Sequence, residues 1–300
     1  MKLEFLHPKY WLLWIGLGFL RLLMFLPYPA IMSLGKLCGQ LFYYVSKHRR
    51  HIIRTNIDLC FPEMNSADKE QLIKDNFVHM GYTMVENPLC WWGSDNKILK
   101  RSTIVGLENL QTALDNKEGV LLLSAHFTSL EIGGRITSNK IPLMFMYRQH
   151  KNKLFDWIQK KSREGQSDGV IERKQVRATI KALRNKKPVW YAADQDYGRK
   201  HSIFAPFFNI QAASITATRD FSKLGKAVVI PFFSYRKEHA SGYYIELLEP
   251  IKNYPSDDPV KDATIINQVF ETAILKAPEQ YLWAHRRFKT RPEGEANFYK

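Results

Sequence analysis

The chain begins with an apolar run that shows no amphipathic period. Tyr10 to Leu26 reads YWLLWIGLGFLRLLMFL, with Arg21 as its one charge, and Pro27 and Pro29 close it. A second apolar stretch, Ile31 to Val45, is diluted by Ser33, Lys36 and Gln40. A helix that is apolar all round sits either in a protein core or in lipid. Crossing a bilayer takes about 20 mainly apolar residues, and a central arginine costs roughly 2.5–3.5 kcal/mol unless it snorkels. The run therefore predicts a membrane anchor that spans once, or lies in the interface with Tyr10, Trp11 and Trp14 at headgroup level. A helix buried in the core is the competing reading. No small-residue cleavage site follows, so the run does not read as a removable signal. Lys47, Arg49, Arg50 and Arg54 follow it and only Lys2 and Lys9 precede it, an asymmetry that predicts a cytoplasmic body.

Further on, the pattern changes. Asn65 and Ser66 are N-cap candidates with Asp68 and Glu70 in the first turn, and Leu72, Ile73, Phe77, Met80 and Met84 continue at helical spacing. Short apolar runs then alternate with helical stretches. Val120–Ala125, Ile141–Tyr147, Pro188–Ala193, Ala227–Tyr235 and Tyr243–Leu248 read as strands; Lys151–Arg163, Lys174–Asn185, Ala212–Leu224 and Asp262–Ala277 read as helices. Such alternation predicts an α/β layer fold with a mainly parallel or mixed sheet flanked by helices. A chain of 300 residues suits one large α/β body or two domains. No repeat or Gly/Ser linker interrupts it, so the division expected is an anchor over 1–46 and a single body over 47–300.

Composition narrows the partners. With 44 Lys and Arg against 29 Asp and Glu, the formal charge is +15, which calls for an anionic partner: nucleic acid, a membrane surface or a phosphorylated substrate. Cys38, Cys60 and Cys90 are odd in number and widely spaced, which argues against a disulfide framework and a cysteine zinc site.

Chemistry concentrates where the first buried strand ends, in VLLLSAHFTSLEIGG. His126 leaves the carboxyl end of that strand, where open α/β sheets place their sites, and Glu131 follows five residues later. On a continuous helix those side chains would stand about 140° apart. They can meet only with His126 on a loop and Glu131 on the first turn of the next helix. So placed, Glu131 would fix the imidazole tautomer and leave the other nitrogen free as a general base. A structural histidine and a zinc ligand pair remain open as alternatives; zinc lacks an evident third ligand, His150, His201 and His285 being scattered. Other polar clusters stand at expected strand ends. Arg148, with Arg173 and Arg177 on one helix face, can grip phosphates. Asp194, Gln195 and Asp196 form a D-x-D turn suited to magnesium or to pairing with arginines. Trp283 to Arg291, containing Arg286 and Arg287, interleaves cations with aromatics, a pattern that reads single-stranded nucleic acid or, beside an apolar anchor, lipid headgroups.

These residues also resemble a known family. AHFTSLE resembles the H-x4-E motif of the lipid A late acyltransferases of Gram-negative envelopes. YRQHKNKLFDW, WYAADQDYGRKHSIFAPFF and PEQYLWAHRRFKTRP are similar to that family's longest blocks, and HPKYWLLWIGLG is similar to its lauroyl branch or the cold-induced palmitoleoyl one. The similarity covers nearly the whole chain. Gln149 stands where proline is usual, and Thr128-Ser129-Leu130 replaces the commoner Gly-Asn-Trp. The resemblance implies a glycerolipid-acyltransferase-like fold at the cytoplasmic face of the inner membrane. It implies an acyl donor, lauroyl by branch, on acyl carrier protein, and a 3-hydroxyacyl chain of the Kdo-bearing tetraacyl lipid A precursor as acceptor. His126 would be the base and Glu131 its orienter. Arg148, Arg173, Arg177, Asp194, Gln195, Asp196, Arg286 and Arg287 are the substrate-binding candidates. Neither metal nor cofactor is expected, and anionic lipids rather than nucleic acid account for the charge. Phe204, Phe207, Phe208 and Phe232 are candidates for an acyl pocket. A same-class enzyme with a glycerol phosphate or other glycolipid acceptor is the nearest rival.

Overall fold

A computed structural model describes residues 3–300 of the chain; Lys2, counted above among the cations preceding the apolar run, lies outside them. Among the described residues two short 3-10 turns, Leu3–Leu6 and Pro8–Tyr10, lead into five α-helices: α1 (Trp11–Leu23), α2 (Tyr28–Val45), α3 (Lys47–Cys60), α4 (Ser66–Trp92) and α5 (Asp95–Leu99). Alternation follows with β1 (Ser102–Val105), α6 (Leu107–Asp115), β2 (Gly119–Ser124), α7 (Leu130–Ser138), β3 (Met144–Tyr147), α8 (Lys153–Glu164), β4 (Gly169–Glu172), α9 (Val176–Arg184) and β5 (Val189–Ala192). The chain then forms a hairpin, β6 (Ser202–Phe207) and β7 (Ile210–Ile215), and ends with α10 (Ala217–Gly225), β8 (Ala227–Arg236), β9 (Tyr243–Leu247) and α11 (Pro259–Lys276).

The main sheet has the order β1-β9-β8-β2-β5-β3-β4. β8, β2, β5, β3 and β4 are mutually parallel, so their carboxyl ends share one edge, while β9 runs antiparallel to β8 and parallel to β1. The expected mixed sheet flanked by helices is what the chain builds. Every residue of β2 is buried. Successive side chains on a strand point to opposite faces, so Leu121 and Leu123 enter one hydrophobic cluster with Phe233, and Val120 and Leu122 enter the other with Phe232. Helices cover both faces.

Two expectations need correction. Ala212–Leu224 is not one helix: β7 continues to Ile215 because it pairs in register with β6, and α10 starts at Ala217. The alanine-rich run has helical propensity, but tertiary pairing overrides it. The second concerns membrane crossing. Among the described residues no helix is long and apolar enough to span a membrane. α1 has 13 residues, which at about 1.5 Å per residue falls well short of a hydrocarbon core of about 30 Å. The transmembrane alternative therefore fails.

α2, apolar enough to suggest lipid, packs on α4 instead. The backbones approach so closely that a Cβ at Gly81 would lie 2.2 Å from the Gly35 carbonyl oxygen, and one at Gly39 would lie 2.4 Å from that of Phe77. Only glycine fits such a crossing. At the head of α4, the Asn65 side chain accepts the Asp68 N–H at 2.9 Å, the cap expected there. α1 buries Leu17 and leaves Trp11, Leu12, Ile15, Phe19 and Leu22 each more than half exposed.

Candidate active site

The register of the sheet assembles the site. Ser124 of β2 lies opposite Ala192 of β5, so two residues later the chain emerges at His126 on one strand end and Asp194 on its neighbour. His126 Nδ1 lies 2.6 Å from Asp194 Oδ1. Asp194 is buried, whereas the imidazole side chain keeps 27% exposure. Burial disfavours the imidazolium, but the charge and hydrogen bond of Asp194 outweigh it, and the His126 pKa is raised above its ordinary value. Asp194 shows the reciprocal effect: burial opposes its charge, yet His126 and the Tyr281 hydroxyl hold its pKa down to about 2. The carboxylate remains charged, accepts a hydrogen bond from Nδ1–H, and leaves the lone pair on Nε2.

The partner differs from the one expected. Glu131 does stand on the first turn of α7 with His126 on the preceding loop, but its carboxylate makes no hydrogen bond to the imidazole. It forks onto Arg163 in the last turn of α8, Nε to Oε1 at 2.9 Å and the terminal nitrogen to Oε2 at 2.5 Å. A bidentate guanidinium satisfies both carboxylate oxygens at once, whereas the imidazole already has a buried carboxylate on the adjacent strand.

The His126 loop is clamped from two sides. The carboxyl-terminal segment runs beside it, with a bridge between Phe127 and Tyr281. Leu282 N–H donates to the His126 carbonyl at 2.9 Å and Thr128 N–H to the Gln280 carbonyl at 2.7 Å. Arg236, at the end of β8, donates to Thr128 Oγ1 at 2.6 Å and to its carbonyl at 2.7 Å, and also forks onto Glu86 of α4 at 2.7 and 2.5 Å. Arg236 and Glu86 side chains are 0% and 2% exposed. A buried ion pair repays its desolvation only with such full satisfaction.

Comparison with known proteins now identifies the lineage. The sequence model of the bacterial lipid A biosynthesis acyltransferases matches residues 1–290. The chain belongs to that family. It is 41% identical over 297 residues to the lipid A biosynthesis palmitoleoyltransferase of Escherichia coli (strain K12), covering 99% of this chain and 97% of that one. It is 39% identical over 295 residues to the lauroyltransferase of the same organism (98% and 96%), and 28% identical over 303 residues to its myristoyltransferase (99% and 93%). Among solved structures, the 1-acyl-sn-glycerophosphate acyltransferase PlsC of Thermotoga maritima covers 82% of this chain and 97% of its own at 12% identity and a TM-score of 0.39, too loose a match to carry argument. The protein is therefore an acyltransferase.

The acyltransferase brings its other candidate residues together unevenly. Arg148 and Arg173 stand at the carboxyl ends of β3 and β4, on the same sheet edge as His126. Arg148 and Arg177 are exposed, and the Arg173 guanidinium lies 5.0 Å from the Tyr197 ring centroid. Gln195 is half-buried between the two aspartates. Asp196 departs from the substrate role: it is buried and accepts the Gly198 N–H, Thr290 N–H and Thr290 hydroxyl at 2.8, 2.6 and 2.9 Å, which uses its oxygens to hold a turn. Arg286 lies beside His48 at 3.2 Å, half-buried. Arg287 also departs: it is 2% exposed, donates to the Ala213 carbonyl at 2.7 Å and stacks on Phe207, so it has no surface to offer a substrate. Asp194 is buried, with one carboxylate oxygen on His126 and the other on the Tyr281 hydroxyl. The phenylalanines do not line one pocket, since Phe207 and Phe232 are both sealed and lie in different clusters. Among the described residues no three His, Cys, Asp or Glu side chains are placed to hold a metal ion.

Proposed function

We propose that the protein transfers a lauroyl chain from acyl carrier protein to the hydroxyl of a 3-hydroxyacyl chain on the Kdo-bearing tetraacyl lipid A precursor, with His126 as general base. The observation that carries this reading is the His126–Asp194 pair, one imidazole nitrogen held by a buried carboxylate at 2.6 Å while the side chain keeps partial exposure. Asp194, rather than Glu131, is the orienting carboxylate. His126 Nε2 takes the proton of the acceptor hydroxyl while that oxygen attacks the thioester carbonyl carbon. The oxyanion is met by backbone N–H groups at the start of α7 or by a nearby cation. The C–S bond then breaks, and the carrier thiol leaves with the proton returned by the imidazolium. Cys60 and Cys90 are buried, and burial pushes their thiols up, which suits a route without an acyl-cysteine.

Glu131 with Arg163 fixes the first turn of α7 at the rim of the site. Arg148, Arg173 and Arg177 meet the phosphates and carboxylates of the acceptor, and the basic body attracts the acidic carrier protein. In this reading α1 lies in the interface of an anionic membrane with Trp11, Ile15 and Phe19 toward lipid, and the basic residues that follow the apolar run support a site at the cytoplasmic face of the inner membrane.

The test is mass spectrometry of the lipid product after purified protein is incubated with lauroyl, palmitoleoyl and myristoyl carrier proteins, and with lipid A precursor or glycerol phosphate as acceptor. A lauroyl increment on a hydroxyacyl chain is expected, and loss of at least about a thousandfold in turnover with His126→Ala. A glycerol phosphate product, an accumulating acyl-enzyme, or an active His126→Ala protein would overturn the reading.

A further inference from the structure

Asp194 has a second partner, and it is sealed. While Oδ1 engages His126, Oδ2 accepts a hydrogen bond from the Tyr281 hydroxyl at 2.8 Å. Tyr281 is 2% exposed, edge-on to Trp283 with centroids 4.8 Å apart and to Phe127 at 6.0 Å. Its carbonyl accepts from Asn76 at 2.6 Å, and its backbone bridges Phe127. The phenol oxygen is therefore fixed by backbone and ring contacts that do not depend on Asp194. A phenol retained for packing alone would need no carboxylate, whereas this one points its only polar atom at the group that orients the base.

We infer that Tyr281 is a positioning residue for acyl transfer: its hydroxyl holds the Asp194 carboxylate with Oδ1 on the imidazole and draws off part of its charge, thereby setting the basicity of His126. The inference rests on His126 being the base. Burial and the neighbouring Asp194 both push the Tyr281 phenol well above its usual range, so it stays a proton donor throughout the working pH.

Few other titratable groups face the pair. His285 is depressed by burial to about 4 and stays neutral, its Nε2 accepting the Asp196 N–H at 3.1 Å. Cys60 on α3 and Tyr191 on β5 are pushed up by burial and stay neutral. Arg287 and Asp196, both buried, also lie near these groups. Tyr281→Phe alters none of these. Without the hydroxyl, more charge stays on Oδ1, the imidazolium is favoured, and His126 must lose its proton at higher pH before it can act.

The test uses the full-length protein with its acyl carrier and lipid substrates. Between pH 5 and 9, Tyr281→Phe is expected to lower kcat about tenfold with both KM values within about twofold, and to move the acid limb of kcat/KM upward by roughly half a unit. In an Asp194→Asn background the same change should have almost no further effect on kcat, because the two residues act as one unit. An unmoved acid limb, or additive losses in the double variant, would overturn the role of Tyr281. An active His126→Ala protein would instead overturn the base assignment, so the two failures are separable.

Discussion

The two flanks of His126 treat charge in opposite ways. Toward β8, α4 and the carboxyl-terminal segment, the charges that hold the loop are buried and matched: Arg236 is sealed between Glu86 and Thr128, and Gln280 joins the backbone of Arg236 to that of Thr128. Toward β3, β4 and α9, Arg148 and Arg177 stand in solvent and Arg173 lies on an aromatic ring, and none of the three pairs with a carboxylate among the described residues. A sealed cation whose donors are all spent can only be scaffold, because presenting it to a ligand would orphan its partner. A cation left unpaired beside a catalytic strand end keeps its donors for an oxyanion. The same residue type, arginine, thus builds the floor on one side and stands with its donors free on the other.

Breaking the junction of the two flanks should cost most. Asp194→Asn keeps the shape of the pair but offers the imidazole an amide, so the wrong tautomer becomes accessible. A loss of about 10³–10⁴ in kcat with little change in either KM is expected from steady-state kinetics. Loss confined to KM would show Asp194 to be a ligand contact after all. Next comes the sealed flank itself. Arg236→Met leaves Glu86 charged and buried without its partner, and should lower unfolding stability by about 3–5 kcal/mol in urea titration. Adding Glu86→Gln should recover part of that loss, since the stranded charge is then gone. If the single variant is as stable as the parent, the pair is not the clamp described here.

Sequence showed the position of the site better than its wiring. The apolar run ending at Ala125 placed His126 at a strand terminus, and the five-residue step to Glu131 required the turn that the loop makes. Asp194 as partner was out of reach, because it comes from β5, which pairs with β2 although α7, β3, α8, β4 and α9 lie between them in the chain. Local spacing carries no information about such an adjacency and favours a near carboxylate over a distant one. Arg286 and Arg287 show the same limit. They are neighbours in a basic run, yet Arg287 turns into the core beneath β7 while Arg286 stays half-exposed. Arg163, after Lys160 and Lys161, and Arg236, before Lys237, carry no local signal: each is one cation in a basic stretch, and its value lies in a carboxylate from another element.

The exposed flank gives the smallest and most specific effect, through Tyr197. Its ring lies under Arg173, centroid to guanidinium carbon 5.0 Å, while Tyr197 as a residue is 38% exposed. Stacking of this kind is worth about 0.5–1 kcal/mol at an exposed position. It leaves all the guanidinium donors free while restricting where they point, which lowers the entropy cost of meeting an oxyanion. Tyr197→Leu should therefore raise KM for the phosphorylated acceptor by roughly two- to fivefold. KM for the acyl donor and kcat should stay as they are, and salt should weaken the difference little, because the charge on Arg173 is unchanged. Arg173→Ala should raise the same KM further and flatten its salt dependence. Should Tyr197→Leu instead lower kcat with KM constant, the ring would belong to the reacting end of the site, and the division between scaffold and binding flank would have to be drawn on the other side of β5.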